Sequence, residues 1–326
     1  MKKLIALILT LTLSIGLLTA CLGGGKAKLN VGFMSGPTGM GMAKLIHDNG
    51  GVEGNDKYAF TKYADTTAAK TDLAAGKVDI VCLPTNEAAA YFNNTDDNLV
   101  VLAINCLNSL YLLTDKDNEV SSFADLSGKT GYTCKNGTPR LVLEYIVNQM
   151  NLDVTVSYTY DDKDILTPAE LGTHIVAGNL PIVVAPEPIV TSSLLSIKKN
   201  GNSDISYSVD VDLTDAWAEI SATPVTMGCI VAKRDFVAKN KKAINSFLEE
   251  YKTSVNFIGN SSNLESASEY IVETGIMAAA PAAKSALGNL GDAITYMGGS
   301  DMKDALEAFY TAIGMKLPTD EFYYAD

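Results

Sequence analysis

The stretch LNVGFMSGPTGMGMAKLIH, residues 29–47, sets the architectural pattern of the chain. Its first part, residues 29–33, predicts a strand, residues 34–38 form a loop with glycine and proline, and residues 40–47 predict a helix. The same order of strand, loop and helix recurs along much of the sequence. Apolar strands that alternate with short helices predict parallel βαβ units, in which helices cover both faces of a sheet.

Two series of such units follow one another. The first has further elements predicted over residues 58–63, 66–75, 77–82, 87–92 and 98–104, with a turn at residues 84–86. The second has elements predicted over residues 130–134, 139–150, 154–160, 167–177, 181–185 and 189–198, with a turn at residues 186–188. Thr167 and Glu170 have the spacing of a capping box. The restart of the cadence predicts a second α/β unit placed inside the first.

The last third of the chain is mostly helical. After residues 205–211 and a strand over 224–232, helices are predicted over residues 241–258, 264–274, 281–290 and 301–313. These helices need an existing sheet to cover. We therefore predict an α/β fold of two doubly wound sheets, with lobe 1 from residues 29–104 plus 212–326 and lobe 2 from residues 105–211. Segments near 104–109 and 209–214 would be the two hinge strands.

The first residues have the pattern of a bacterial lipoprotein signal. Two lysines precede a largely apolar run, and residues 17–21 read Leu-Leu-Thr-Ala-Cys. An ordinary export signal needs no cysteine after its small residues, whereas the lipoprotein pathway acylates that thiol. We expect residues 1–20 to be a signal peptide and Cys21 to carry the lipid, with a secreted protein as the alternative. Residues 21–28 would be a flexible tether that leaves the protein outside the cytoplasm, anchored to the cell membrane.

Composition and charge exclude several classes of partner. The chain has 326 residues, of which 47% are hydrophobic and 19% charged, as in a folded protein with a sizeable core. Its formal net charge of −13 would repel nucleic acid and anionic lipid surfaces. The sequence therefore predicts no nucleic-acid partner and contact with the membrane only through the lipid.

The cysteines and histidines do not indicate a metal site. Cys82, Cys134 and Cys229 lie in apolar, strand-like runs, which favours small buried hydrophobic roles over a disulfide. Cys106 is the remaining cysteine after Cys21. His47 and His174 are far apart in helix-like segments, and no pair shows metal-ligand spacing. We predict neither a metal nor a cofactor.

Several motifs in this order resemble the type II periplasmic binding proteins, and among them the nitrate, sulfonate and taurine type of substrate-binding lipoproteins. The motifs are residues 36–46 after the first strand, Ala75-Gly-Lys-Val-Asp-Ile80, Asp125-Leu-Ser-Gly-Lys-Thr130 and Gly137-Thr-Pro139. The resemblance covers nearly all of the chain after the tether. It implies a monomer that binds a small solute and delivers it to an ABC permease with its ATPase, without catalysis.

Four loops are candidates for the solute site, because ligands of open parallel sheets bind beyond the carboxyl ends of the strands. Helix starts there expose unpaired N–H groups, and glycines allow close approach. The candidate residues are Ser35, Gly36, Pro37, Thr38, Gly39, Met40, Pro84, Thr85, Asn86, Asn136, Gly137, Thr138, Pro186 and Glu187, together with Trp217 after the second crossing. Alternatives stay open: a turn or helix packing for the glycines, an N-cap for residues 136–138, and core packing for Trp217.

The scarcity of arginine limits the choice of solute. Arg140 and Arg234 are the only arginines, and neither is expected to face the loops, so a bidentate clamp on an anion is disfavoured. An organic sulfonate or nitrate-like anion would rely on N–H groups and hydroxyls, and a neutral or aromatic ligand fits equally well. Since the same family contains carriers of a thiamine pyrimidine precursor, such a heterocycle is the alternative solute. A pyrimidine-synthase-like enzyme and a ligand-free adhesin or sensor are the other classes.

Overall fold

The computed structural model describes residues 28–96 and 98–325. The predicted signal peptide, the lipidation site Cys21 and the tether as far as residue 27 lie outside the described residues. The strands are β1 Leu29–Met34, β2 Tyr58–Tyr63, β3 Ile80–Pro84, β4 Leu99–Leu107, β5 Leu110–Asp115, β6 Thr130–Tyr132, β7 Thr155–Ser157, β8 Thr159–Tyr160, β9 Lys163–Asp164, β10 Ile182–Pro186, β11 Tyr207–Asp212, β12 Thr226–Lys233 and β13 Ile294–Met297.

The helices fall between and after these strands. They are α1 Pro37–Met40, α2 Ala43–Asp48, α3 Thr66–Ala74, α4 Thr85–Asn94, α5 Thr138–Gln149, α6 Pro168–Ala177, α7 Ile189–Asn200, α8 Leu213–Ala218, α9 Arg234–Lys239, α10 Lys241–Ile258, α11 Leu264–Glu273, α12 Ala280–Leu290 and α13 Gly299–Ala312. Short 3-10 turns cover Phe123–Leu126, Ser261–Asn263, Gly291–Ala293 and Asp320–Phe322. Within residues 28–96 and 98–325, no helix is both long and apolar enough for a membrane span.

The strands form two main sheets. The first has the order β13-β4-β12-β3-β1-β2, and the second has the order β11-β5-β10-β6-β7. We refer to the first sheet and its helices as lobe 1 and to the second sheet and its helices as lobe 2. The predicted α/β class is confirmed. Of the helices that follow β12, α9, α10 and α13 pack on the first sheet, whereas α11 packs on α2, and α12 packs on α11 and α7.

Both sheets are mixed, which the uniform parallel pattern did not predict. Strand β1 is parallel to β2 and β3, whereas β12 runs antiparallel to both β3 and β4. In the second sheet β10 is parallel to β6 but antiparallel to β5. Strands β5 and β12 are the first strands after the two crossings between the lobes, and both run antiparallel to their neighbours.

Three local predictions differ from the structure. The turn predicted at residues 84–86 is the start of α4, since Pro84 is its N-cap and Thr85 its first residue. The strand predicted over residues 154–160 is two short strands in different sheets, β7 and β8. Strand β5, which sequence reasoning missed, lies between β11 and β10 in the sheet of lobe 2.

The first crossing between the lobes is a tight segment between β4 and β5. Asn108 and Ser109 both have positive φ, 51° and 78°, in the left-handed region that residues other than glycine rarely adopt. The Asn108 N–H donates to the Val225 carbonyl over 2.8 Å, which fixes the crossing beside the segment that leads into β12. Ser109 is buried and Asn108 is half-buried.

Candidate functional site between the two sheets

The loop after β1 is packed tightly against its own strand. Gly36 is the N-cap of α1, and Thr38, Gly39 and Met40 are buried. A Cβ on Gly39 would lie 2.0 Å from the Met34 carbonyl oxygen, whereas a Cβ on Gly36 would meet no atom within 4 Å. Gly39 is therefore required for packing. Ser35 is exposed, Gly36 is buried and Pro37 is half-buried, so Ser35 is the residue that this loop presents most fully at the surface of lobe 1.

Asn105 of β4 holds the loop after β1 in place through a hydrogen bond. Its Nδ2 donates to the Thr38 carbonyl oxygen and to the Tyr251 hydroxyl, both over 2.8 Å, and the side chain is fully buried. Gly228 of β12 lies beside the pair, and a Cβ there would lie 2.3 Å from the Thr38 Cγ2 atom. Sequence reasoning missed both residues, because nothing in the local sequence shows that they reach residue 38.

In the loop after β3, the polar groups of Thr85 form hydrogen bonds within lobe 1, whereas the side chain of Asn86 contacts lobe 2. The Thr85 hydroxyl donates to the Thr226 carbonyl over 2.6 Å, and the Thr85 carbonyl accepts from the Tyr310 hydroxyl over 2.9 Å. Both of these Thr85 groups are therefore engaged in contacts that hold α4 on the sheet. Pro84 is half-buried, and the next residue, Asn86, is buried and directed to lobe 2.

The loop after β6 meets Asn86. Gly137, with φ of 97°, is the N-cap of α5, and its helix start has no side-chain cap. Thr138 is the first helical residue, and its hydroxyl donates to the Asn86 Oδ1 atom over 3.0 Å. Asn136 is exposed. The structure therefore brings together residues that the sequence placed on opposite lobes, and leaves the first N–H groups of α5 without a side-chain acceptor.

The loop after β10 carries a buried carboxylate. Pro186 and Glu187 are both buried, and Glu187 is 0% exposed. Its Oε1 accepts from the Thr191 hydroxyl over 2.8 Å, and its Oε2 accepts from the Thr191 N–H over 3.2 Å. Burial raises the pKa of Glu187, and the hydrogen bonds from Asn289 and Thr191 only partly oppose that rise. Among the described residues, no basic side chain forms an ion pair with it.

A second contact between the lobes forms at Glu187. The Nδ2 atom of Asn289, on α12, donates to the Glu187 Oε1 atom over 2.7 Å and to the Thr191 hydroxyl oxygen over 3.2 Å. The Tyr111 hydroxyl of β5 donates to the backbone carbonyl oxygen of Asn289 over 2.6 Å. Asn289 and Tyr111 were not predicted, because an exposed asparagine late in a helix and a tyrosine in a strand are ordinary residues in sequence.

The loops of the second lobe share one edge of its sheet. Strands β6 and β10 are parallel neighbours, paired at Tyr132 and Val183. Their carboxyl ends therefore meet, and the Thr133 hydroxyl donates to the Val184 carbonyl over 3.0 Å. Thr138 and Glu187 follow these two ends, and each contacts lobe 1. The candidate cleft is closed at both contacts.

Solved structures with a similar shape come from transport proteins. An ABC transporter structure from Parabacteroides distasonis is 19% identical, with a TM-score of 0.69 over 92% of this chain and 100% of that one. The periplasmic aliphatic sulphonate binding protein SsuA from Escherichia coli is 18% identical, with a TM-score of 0.67 over 91% of this chain and 92% of that one. The periplasmic nitrate-binding protein NrtA from Synechocystis is 11% identical, with a TM-score of 0.62 over 92% and 91% of the two chains. The chain has the two-lobed periplasmic binding protein fold.

The periplasmic binding protein fold is the one that the sequence motifs resemble, so that prediction is confirmed. A family model described as menaquinone biosynthesis matches residues 201–314, which include α8 to α13. No curated protein sequence matches the chain.

Trp217 occupies the core of this binding-protein fold. Its ring is 2% exposed and lies 4.9 Å from the Tyr145 ring of α5 and 5.8 Å from the Phe309 ring of α13. The indole N–H donates to the Thr223 carbonyl over 2.6 Å. Trp217 thus packs between helices of the two lobes, the environment that its core interpretation requires.

The basic residues nearest the second lobe's loops are already paired. Lys135 forms an ion pair with Asp164, and Arg140 with Glu144. Both cations also lie over the Tyr158 ring, at 5.5 Å and 5.9 Å from its centre. The polar groups of the candidate cleft are therefore hydroxyl, amide and N–H groups together with one carboxylate.

Two features elsewhere in the described residues bear on the site. A hollow of about 620 Å³ lies at the edge of the first sheet, lined by residues that include Leu102, Lys252, Tyr296 and Gly299, and it contains none of the predicted loop residues. We place the candidate site at the loops, because they combine helix starts with contacts from both lobes. Across residues 28–96 and 98–325, histidine, cysteine, aspartate and glutamate side chains form no group of three that could hold a metal ion.

Proposed function

We propose that the protein is the solute-binding component of an ABC importer, held outside the cytoplasm by a lipid on Cys21. Residues 29–104 with 212–326 and residues 105–211 would be its two lobes. The observation that carries the proposal is the pair of contacts between lobes, Thr138 with Asn86 and Glu187 with Asn289, because both arise at loops where this fold binds ligands. Solute contacts from both lobes would favour the closed form, which the permease would recognise.

The first candidate solute is a small organic sulfonate or a nitrate-like anion. The structures of SsuA and NrtA are described as sulphonate- and nitrate-binding, and both resemble this chain in fold. The uncapped start of α5 would offer N–H groups and the positive end of the helix dipole to such an anion. Ser35 and Thr38 would supply further hydroxyl donors, whereas the Thr138 hydroxyl already donates to Asn86.

A neutral or cationic heterocycle, such as a pyrimidine precursor of thiamine, is the second candidate. Glu187 favours it, because a buried carboxylate without a cationic partner repels an anion and accepts hydrogen bonds from ring or amino N–H groups. The pairing of Lys135 and Arg140 with carboxylates has the same consequence.

We also propose that the protein binds without catalysing a reaction. His47 pairs with Glu273 and stacks on Tyr270, and His174 contacts Asn179, so neither histidine is positioned as a base by a loop residue. Burial raises the pKa of the Cys82 and Cys106 thiols to about 12, which removes their thiolates at neutral pH. The family model described as menaquinone biosynthesis, which matches residues 201–314, supports the alternative that the protein is an enzyme.

A thermal-shift screen tests these proposals. The purified protein is heated with alkanesulfonates, taurine, nitrate, aminopyrimidines, thiamine and aromatic acids, since a ligand of the native state raises the unfolding midpoint. A shift with sulfonates or nitrate supports the first candidate solute, and a shift with aminopyrimidines supports the second. No shift with any compound would count against solute binding and favour an adhesin or sensor.

The partners follow from the same proposal. A monomeric binding protein that delivers solute would stimulate the ATPase of its permease only when solute is present. The permease is identified as the membrane protein that co-purifies with the lipidated protein. Stimulation that needs no solute would contradict delivery.

A further inference from the structure

We propose that Asn289 is a positioning residue that latches the two lobes together and thereby sets how long a solute stays bound. The inference rests on the proposed solute-binding function, because a latch has this effect only where a solute lies between lobes. Asn289 belongs to α12, which packs on α11 of lobe 1 and touches α7 of lobe 2.

The latch consists of three hydrogen bonds that converge on one residue. The Asn289 side-chain amide donates to Glu187 and Thr191, and the backbone carbonyl oxygen of Asn289 accepts from the Tyr111 hydroxyl. All three partners belong to lobe 2 and lie on three different elements, the loop after β10, α7 and β5. A rotation that opens the cleft would therefore break the three bonds at the same step.

The three partners of Asn289 are buried, with Glu187 0% exposed, Thr191 3% and Tyr111 7%, whereas Asn289 itself is exposed. A carboxylate gains more from each donor than a neutral acceptor does, and a buried one that loses a donor becomes strongly unfavourable. Opening the lobes would return water to Glu187, so the closed form depends on Asn289 to offset the cost of its burial.

The latch is also joined to the crossing between the lobes. The Glu187 N–H donates to the Ser109 carbonyl over 3.1 Å. Ser109 lies in the strained segment between β4 and β5, where its φ is 78°. Because of this bond, any rotation at the crossing moves the loop that carries Glu187. Asn289 lies outside the four candidate loops, so its effect on affinity would come from closure.

Distances between spin labels test the latch without any solute. Labels on Ser203→Cys in lobe 2 and Lys242→Cys in lobe 1 are suitable, since both positions are exposed and the four described native cysteines are buried; Cys21 is replaced by serine. Asn289→Asp places a second carboxylate against Glu187. We expect a longer distance to become populated in this variant, but not in Ser285→Asp, which adds the same charge to an exposed site on the same helix.

A second change restores the pairing. In the double variant Asn289→Asp with Glu187→Gln, the amide at 187 donates to the carboxylate at 289, and we expect the short distance to return. With taurine, sodium nitrate or an aminopyrimidine as probe, Asn289→Asp should bind roughly ten- to a hundredfold more weakly, through faster dissociation.

The outcomes separate the latch from the proposed function. Equal distance distributions in the wild type, Asn289→Asp and Ser285→Asp would overturn the latch whether or not a solute binds. A change in distance without binding of any probe would support the latch and count against these solutes. Failure of the double variant to restore the short distance would show that Asn289 acts on closure by some other contact.

Discussion

Thr138 on α5 donates a hydrogen bond to Asn86 on α4, so the first turns of two helices from different lobes are in direct contact over 3.0 Å. Both side chains are buried, Thr138 at 2% and Asn86 at 7% exposure. A buried contact of this kind has two effects: it stabilises the closed arrangement, and it fixes the orientation of the uncapped start of α5 at the cleft.

The substitution Thr138→Val should lower the stability of the closed protein. Valine has nearly the same shape but no hydroxyl, so the buried Asn86 Oδ1 atom loses its donor at a cost of about 1–3 kcal/mol. We expect the thermal midpoint to fall by a few degrees. Thr173→Val is the matched control, because Thr173 is exposed on α6 and its hydroxyl bonds only within that helix. Equal midpoints for the two variants would contradict the role of the contact.

The substitution Gly228→Ala should destabilise lobe 1 and displace the loop after β1. The added methyl would lie 2.3 Å from the Thr38 Cγ2 atom and 2.5 Å from the Asn105 Oδ1 atom. Overpacking of a tight core costs roughly 1–3 kcal/mol. Gly288→Ala is the control, since its methyl meets no atom within 4 Å on α12 and alanine favours a helix by about 0.5–1 kcal/mol. The two unfolding midpoints should therefore move in opposite directions.

The sequence predicted the elements better than the contacts between them. Apolar runs such as residues 98–104 and 181–185 mark buried strands, and helix starts beside Gly36 and Gly137 mark loops at strand ends, because these signals are local. The resemblance placed the loops that carry Asn86 and Thr138 on opposite lobes, but it did not predict the hydrogen bond between these two residues.

The residues that sequence reasoning missed act over long separations. Asn105 reaches Thr38, and Asn289 reaches Glu187, across 67 and 102 residues. The sequence around an asparagine does not specify such a distant partner, because the neighbouring residues indicate only the local strand or helix. Trp217 illustrates a different limit of the sequence. Its position beside a crossing between the lobes was compatible with either ligand contact or core packing, and only its contacts in the structure distinguish these two roles.

The four described cysteines should resist modification in the native protein. All are buried and unpaired, and burial raises the pKa of Cys134 to about 11. Because the thiolate is the reactive form, we expect a Cys21→Ser variant to react with a thiol reagent only after unfolding, when all four thiols become accessible. Reducing agent should leave the thermal midpoint unchanged. Rapid reaction of a native thiol would show that one of these residues becomes exposed as the lobes open.

The substitution Glu187→Gln should change how stability depends on pH. Burial raises the pKa of Glu187 in the folded protein, so above the ordinary pKa of glutamate the folded state holds this proton more tightly than the unfolded chain does. Since the folded state then binds more protons, stability falls as pH rises from the ordinary value through the raised one. Above that window the destabilising contribution of this carboxylate is fully present, and below it the contribution is absent.

The neutral variant lacks this dependence. The difference between the midpoints of Glu187→Gln and the wild type should therefore increase across the window as pH rises, and then become constant. Tyr111 interacts with both Glu187 and Asp212 and remains in each protein, and burial followed by the charges of Asp212 and Glu187 raises the pKa of Tyr111 far above this range. Glutamine also loses one acceptor for the Thr191 N–H, which shifts all midpoints equally and leaves the slope informative. Glu269→Gln, at an exposed site of α11, is the control, and a parallel pair of curves for Glu187→Gln and the wild type would show that Glu187 does not titrate differently in the folded and unfolded states.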